Sequence, residues 1–434
     1  MNPSHPRDNA LAALEQIYRQ SLAACAPERL VRQCAKRLPD RACVVVALGK
    51  CAAGLIEGFA AERRIERAFA AVPFGYRRNI AVSCPIEIEI GGHPEITPAS
   101  FAAGRALLRF VDAAAESDVV FLISGGSSAC VELPLAPWFD EAALAIANRI
   151  LVDSGIPIGE INTVRKHLSA IKGGRLGSRM RHSFVTLVYS DVSTGALADV
   201  GSGPTLADPT SKDAAIELLL AVGDARCEPI AERLSEASCP ETPKTLAWND
   251  ATLIADNTTL TSTAAVIASS LGFSPIQWDG QIETDVAVAA RDLAERAVRL
   301  GENEILIAGG EPTVARHGDG RGGRCSELAV RFFMEGRGKR DKGREEACDL
   351  PLVPRLSSLV PLTALFASSD GVDGSSGAAG VMVSTARAQE MDVDAVRREL
   401  RGSNSMAVAE RIGEAIIIPP TGNNLRDLFL LARG

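Results

Sequence analysis

The chain has 434 residues, 46% of them hydrophobic, too long for one compact core and long enough for two substantial domains at a prior of roughly 150 residues or more each. With 54 acidic against 46 basic residues the formal charge is −8, so no global positive field recruits nucleic acid, and an anionic ligand must be held by a local cluster. Ten cysteines without a C-x-x-C pair and five histidines show neither a structural zinc site nor a disulfide framework, and reduced thiols in the cytoplasm are the plain reading.

The first 35 residues carry charges throughout their apolar stripe and predict a pair of amphipathic helices, with no signal peptide or membrane span expected. Short apolar runs then alternate with helical patterns: "ACVVVAL" (42–48), "DVVFLIS" (118–124), "SFVTLVYS" (183–190), "ATLIAD" (251–256), "EILIAGG" (304–310) and "PLTALFASSD" (361–370). This alternation predicts α/β layers with largely parallel sheets, whose ligand sites lie beyond the carboxyl ends of the strands. The Pro- and charge-rich stretch 235–250 is the expected boundary, giving domains 1–245 and 246–434. A polar stretch at 335–349 is expected to be an exposed loop.

Most unusual polar clusters follow these runs. In "ALGKCAAG" a cation in the first turn of a helix opposes the helix dipole, so Lys50 either reaches solvent or shares an anion with the amides. "LISGGSSA" ends its strand in Gly125, Gly126, Ser127 and Ser128, whose backbone donors and hydroxyls suit a carboxylate or phosphate; the alternative is a tight turn. "INTVRKHLSAIKGG" offers Asn162 as an N-cap, with Arg165, Ser169 and Lys172 on one helical face, a pattern that also describes a solvated face. Asp191, just past a strand, can act as a base or hold Mg²⁺ through water, or simply make an Asx turn. Asp370 and Asp373 in "SSDGVDGSSG" pose the same choice, and their spacing is not that of an EF-hand. "GGEPTVARHGDGRGGRCSELAV" formally contains G-x-G-x-x-G, but "EPTVARH" separates it from its strand and it comes late in the chain, so the dinucleotide reading is rejected. A glycine-rich anion loop remains, through Gly322 and Gly323, with Arg324 as a planar fork at the start of a helix.

Taken in order, "ALGKCAAG", "GGHPEIT", "LISGGSSA", "INTVRKHLSAIKGGRL", "SDV", "SGPT", "AGGEPTV", "GRGGR", "SSDGVDGSSGAAG" and "PTGNNLRDL" resemble the glycerate 2-kinase family with a C-terminal MOFRL domain, from about residue 10 onward. The resemblance implies two α/β domains, a Rossmann-like three-layer sandwich followed by the MOFRL domain, with the active site in the interdomain cleft. It implies transfer of the ATP γ-phosphoryl group, with Mg²⁺, to the 2-hydroxyl of D-glycerate or a close small hydroxy acid. Lys50, Asp191 and Arg324 match the proposed catalytic positions, the two cations neutralising phosphoryl charge and Asp191 orienting or deprotonating the acceptor. Gly125, Gly126, Ser127, Ser128, Arg165, Lys172, Gly322 and Gly323 are implied at the substrate or its phosphate, and Asp370, Asp373 and Asn423 near nucleotide or Mg²⁺. Partners are then the hydroxy acid and ATP, with no nucleic acid or membrane; a homodimer is left open.

Departures from the family pattern are expected to line the cleft. The family's Asp-Asp-Pro is replaced around Gly195 and Ala196, and "GGRNQE" becomes "GGRCSE", bringing in Cys325 and Ser326. Two other readings compete with a kinase: a hydroxypyruvate reductase, and a non-catalytic sensor of a phosphorylated metabolite.

Overall fold

A computed structural model describes residues 10–433 apart from 39, 78, 193–196, 248, 336–360 and 389–391. The chain divides into two compact units, Ala26–Asp256 and Met1–Cys25 with Asn257–Gly434.

In the first unit, β1 (Cys43–Leu48), β2 (Ile65–Pro73), β3 (Ile86–Gly91), β4 (Val119–Ser124), β5 (Phe184–Tyr189) and β6 (Asn249–Ala255) form an all-parallel sheet in the order β3-β2-β1-β4-β5-β6. β1 and β4 are buried at every residue, as continuous apolar strands covered on both faces should be. β3, IEIEIG, occupies an edge, where alternating isoleucine and glutamate suit one wet face. Right-handed crossovers place the helix between β1 and β2, α3 (Ala52–Ala60), and the helix between β3 and β4, α4 (Pro98–Asp112), on opposite faces, because the two connections run in opposite directions along the sheet. Leu107 and Val111 of α4 pack on Val44, Val46, Phe121 and Ile123, and α2 (Pro27–Ala35) lies beside α3. The result is the expected Rossmann-like three-layer sandwich. A separate apolar cluster joins Phe101 to Leu151, Val164, Leu219 and Leu234 from the helices Glu141–Asp153, Ile158–Leu168, Lys212–Ala221 and Glu228–Ser235.

The second unit holds β7 (Ser274–Gln277), β8 (Glu304–Gly310), β9 (Leu362–Ser368), β10 (Gly380–Ser384), β11 (Gly413–Ile416) and β12 (Asp427–Arg433) in the order β11-β10-β9-β12-β8-β7. Here the expected parallel arrangement fails: only β7 and β8 run parallel, and every other neighbouring pair is antiparallel. β12, DLFLLAR, runs between β8 and β9 and antiparallel to both, yet six of its seven residues are buried. Its apolar run reports two covered faces, which a strand of either direction can have. Leu293 and Leu328 pack with Phe366 and Phe429 on one face, while the helices Ala10–Ala24 and Asn257–Ser270 also pack on the strands.

The first compact unit runs on to Asp256. β6 pairs with β5 and belongs to the first sheet, so composition marked the connection before β6 and not the end of the unit. The two N-terminal helices part company: Leu14, Ile17 and Tyr18 are buried in the second unit, where the Tyr18 hydroxyl donates to the Ser368 carbonyl at 2.7 Å, and α2 belongs to the first. Among the described residues, no helix is long and apolar enough to cross a membrane. The expected loop at 335–349 falls outside the described residues apart from its first position, which ends the helix Arg324–Glu335.

Candidate active site

In the first sheet the strand order reverses at β1 and β4, and neighbouring connections leave in opposite directions there. In open parallel sheets the usual ligand position lies beyond the carboxyl ends of the strands at such a reversal. Lys50 and Gly125 to Ser128 follow these two strands. Leu48 is in register with Ile123, and Ile123 with Val188, which places Lys50, Gly125 and the Ser190–Asp191 segment on three adjacent strand ends.

The β1 and β4 ends are tied directly. The Lys50 amide donates to the Gly125 carbonyl at 3.0 Å, the Cys51 amide to Ser124 Oγ at 3.1 Å, and Ser124 Oγ to the Leu48 carbonyl at 3.0 Å. Gly49 has φ +106°, and a Cβ there would lie 2.5 Å from the Ser124 carbonyl oxygen, so only glycine allows this approach. Lys50 precedes its helix, whose N-cap is Cys51, instead of opposing the dipole from within the first turn. Its Nζ stands 5.6 Å from the Tyr76 ring centroid, and His93 meets that ring edge-on at 6.4 Å.

Ser127 is buried and donates to the Ser124 carbonyl at 2.9 Å. Ser128 Oγ lies 2.9 Å from Ser202 Oγ, Ser202 donates to Asn162 Oδ1 at 3.0 Å, and Arg165 Nε donates to Asn148 Oδ1 at 2.8 Å. Ser202 has φ +58°, a left-handed conformation that costs a non-glycine residue about 1–3 kcal/mol. Asn162 is therefore not an N-cap: it lies within Ile158–Leu168, whose capping position is Pro157. Lys172 does not share a helical face with Arg165 either, since the helix ends at Leu168. Lys172 is 1% exposed and its ammonium bonds the equally buried Glu132, which also accepts from Ser169 Oγ. Burial pulls the Lys172 pKa down and the Glu132 charge resists it; the pair anchors a turn. Asp191 is half-buried just beyond β5, and the replaced segment around Gly195 and Ala196 lies outside the described residues.

In the second unit, a cavity of about 370 Å³ is bordered by Arg316, Gly322, Gly323, Arg324, Ser375 and Ser403. The anion at the helix start is the protein's own. Asp373, 3% exposed, accepts the amides of Cys325 and Ser326 at 2.9 Å each, and a Cβ on Gly323 would stand 2.1 Å from Asp373 Oδ1. Burial pushes the Asp373 pKa up, partly offset by Ser326 and the two amides. Asp373 thus caps the start of that helix. Asp370 accepts from Ser368 Oγ at 2.8 Å and the Val372 amide at 2.9 Å, the geometry of an Asx turn. Asn423 Nδ2 is buried and donates to the Leu22 carbonyl at 3.2 Å, fastening its loop to the N-terminal helix.

Arg324 is held by carboxylates. Its Nε and Nη2 donate to Asp427 at 3.2 and 3.4 Å, and its Nη1 to Glu311. Glu311 Oε2 also stands 3.4 Å from Arg426 Nε, and Arg426 binds Glu283 at 2.7 Å. Arg426 has φ +63°, a second strained non-glycine residue beside a candidate catalytic group. Cys325 and Ser326 do not line a cavity, contrary to expectation: both are 0% exposed. Ser326 Oγ accepts the Gly323 amide at 2.9 Å and lies 3.0 Å from Ser405 Oγ.

Sequence reasoning missed Tyr76, His93, Glu311 and Asp427. "GGHPEIT", "AGGEPTV" and "LRDL" contain three of them, but their partners are remote in the chain: Asp427 is 103 residues from Arg324.

Two family profiles match the chain: "Domain of unknown function (DUF4147)" over residues 13–234 and "MOFRL family" over residues 304–427. The D-glycerate 2-kinase of Thermotoga maritima is 29% identical over 431 residues, covering 96% of each chain. The glycerate 2-kinase of Sulfurisphaera tokodaii is 30% identical over 399 residues, covering 89% of each. A protein of Agrobacterium vitis with the provisional name hydroxypyruvate reductase is 29% identical over 444 residues, covering 98% of this chain and 95% of its own. The crystal structure of glycerate kinase from Thermotoga maritima superposes with a TM-score of 0.83 at 27% identity, covering 98% of this chain and all of that one. With both profiles matched and relatives similar along nearly its whole length, the chain belongs to the glycerate 2-kinase family, a DUF4147 domain followed by a MOFRL domain.

Proposed function

We propose that the protein is an ATP-dependent kinase that phosphorylates the 2-hydroxyl of D-glycerate, giving 2-phospho-D-glycerate. The observation that carries the reading is the placement of Lys50, Gly125–Ser128 and Asp191 on adjacent strand ends at the switch point of a parallel sheet. The glycine amides and Ser128 hold the acceptor's carboxylate or the phosphoryl oxygens. Asp191 accepts the proton of the 2-hydroxyl as its oxygen attacks the γ-phosphorus, and ADP leaves. Lys50 and Arg324 stabilise charge on the transferring group. Among the described residues no three His, Cys, Asp or Glu side chains converge on a metal position. Mg²⁺ would accordingly be held by Asp191, through water, and the nucleotide's phosphate oxygens, its ordinary manner of binding in such sites. Its charge would supplement that of the two cations.

The strand order is also that of dinucleotide-binding sheets, which favours the reductase as the second reading. However, β1 is followed by "GKCAAG" and not by the glycine fingerprint, whose formal match lies in the other unit. The test is incubation with D-glycerate and Mg-ATP, followed by ³¹P NMR of the product. A 2-phosphate ester is expected; a 3-phosphate ester would overturn the regiochemistry. NAD(P)H-dependent turnover of hydroxypyruvate would support the reductase, and ligand binding without ADP release a sensor.

A further inference from the structure

Arg324 makes its two kinds of carboxylate contact under different conditions. Asp427 is 0% exposed and takes the Nε and Nη2 side of the fork, whereas Glu311 is 36% exposed and takes Nη1. A guanidinium grips a phosphate through paired N–H groups on one edge. With the Nε edge turned to Asp427, the edge containing Nη1 is the one a phosphoryl group must use, and Glu311 is already on it.

Glu311 has a second cation within reach. Its Oε2 stands 3.4 Å from Arg426 Nε, yet that buried nitrogen has no hydrogen-bond partner among the described residues. The other arms of Arg426 are fixed, Nη2 on Glu283 and Nη1 on Gln281, each at 2.7 Å. A modest rotation of Glu311 would satisfy Arg426 Nε and release Arg324 Nη1. Asp427 has no such freedom, because removing it from Arg324 would strand a buried charge.

We propose that Glu311 is the exchangeable counter-ion of Arg324: it competes with an incoming phosphoryl group for the Nη1 edge and transfers to Arg426 when the phosphate binds, while Asp427 keeps the guanidinium aimed. Glu311 is thereby a positioning residue that sets anion affinity, and Asp427 the fixed support. This rests on the reading of Arg324 as an anion-binding residue.

The experiment is calorimetric titration of the full chain with inorganic phosphate and with pyrophosphate at fixed ionic strength. Glu311→Gln should tighten both by about three- to tenfold, since a like charge leaves the binding edge, and Glu311→Asp should fall between it and the parent. Arg324→Gln should weaken both, and the double variant should match Arg324→Gln alone. Unchanged or weaker binding in Glu311→Gln, with Arg324→Gln still impaired, overturns the exchange and leaves the role of Arg324 standing. Equal tightening in the Arg324→Gln background overturns it as well, because the effect would then be general charge repulsion. No effect of Arg324→Gln on either anion removes both the exchange and the reading of Arg324.

Discussion

The two units support their candidate groups with different parts of the chain. At the strand ends of the parallel sheet, Lys50 is set among glycine backbone, serine hydroxyls and the Tyr76 ring, held by hydrogen bonds between strand ends. Around the mixed sheet, Arg324 is embedded in a chain of alternating charges from Glu283 through Arg426 and Glu311 to Asp427. Parallel strands deliver their following loops to one edge of the sheet by direction alone. A mixed sheet sends strand ends both ways, and the arginine is aimed by carboxylates instead.

If this contrast holds, the largest loss should come from the parallel-sheet unit. Asp191→Asn should lower kcat by about 10²- to 10⁴-fold, the usual range for a general base; a uniform rise in KM with kcat unchanged would make Asp191 a binding residue. Lys50→Ala and Arg324→Ala should each lose at least ~2 kcal/mol of transition-state stabilisation, about 30-fold in kcat/KM. Arg324→Lys should recover little, because an ammonium cannot replace a fork aimed by two carboxylates. Near-parental turnover in either alanine variant would strike that residue from the catalytic set.

Gly49→Ala and Gly323→Ala test the backbone beneath each site. The added methyl meets the Ser124 carbonyl in one and Asp373 in the other, and each should cost about 1–3 kcal/mol in denaturant unfolding. Indifference at Gly323 would mean that Asp373 is not needed to cap its helix.

The smallest expected effect concerns acid. In the first unit Asp208 and Glu241 are pushed up by burial but held lower overall, Asp208 by Lys166 and Thr210, Glu241 by the Lys212 and Thr242 amides to about 2. A lowered carboxyl contributes stability that is complete above its unfolded value and is lost as pH falls, here from 4.5 towards 2 for Glu241. In the second unit burial raises Asp373 and Asp427, so their native forms hold protons more tightly and acidification favours the fold. Hydrogen exchange should therefore loosen around Thr242 before Cys325 between about pH 5 and pH 3; the reverse order would contradict the assigned directions.

Six strands were legible as apolar runs: β1, β4, β5, β8 and β9 are buried on both faces and leave no alternation to misread, whereas β6 is a half-exposed edge strand that reads as apolar all the same. β2 and β3 escaped notice since polar residues interrupt them, "IERAFAAVP" and "IEIEIG". Strand direction in the second sheet was not legible at all, as β12 shows. The glycine loops and Arg324 stood out by residue type and position, whereas the pairing of Lys172 with Glu132 left no trace in the local sequence. The capping bonds of Asp373 to the Cys325 and Ser326 amides were likewise not legible.

By itself, then, the sequence determined the layered α/β class, the order of the motifs and the family, because these depend on periodicity, backbone-permissive glycines and local residue order. Only the tertiary structure decided which charges are already paired. Glu311, Asp427 and Glu132 meet their cations across 13, 103 and 40 residues of chain, and an ion pair formed over such separations depends on the sheet order and the docking of helices, which no local pattern encodes.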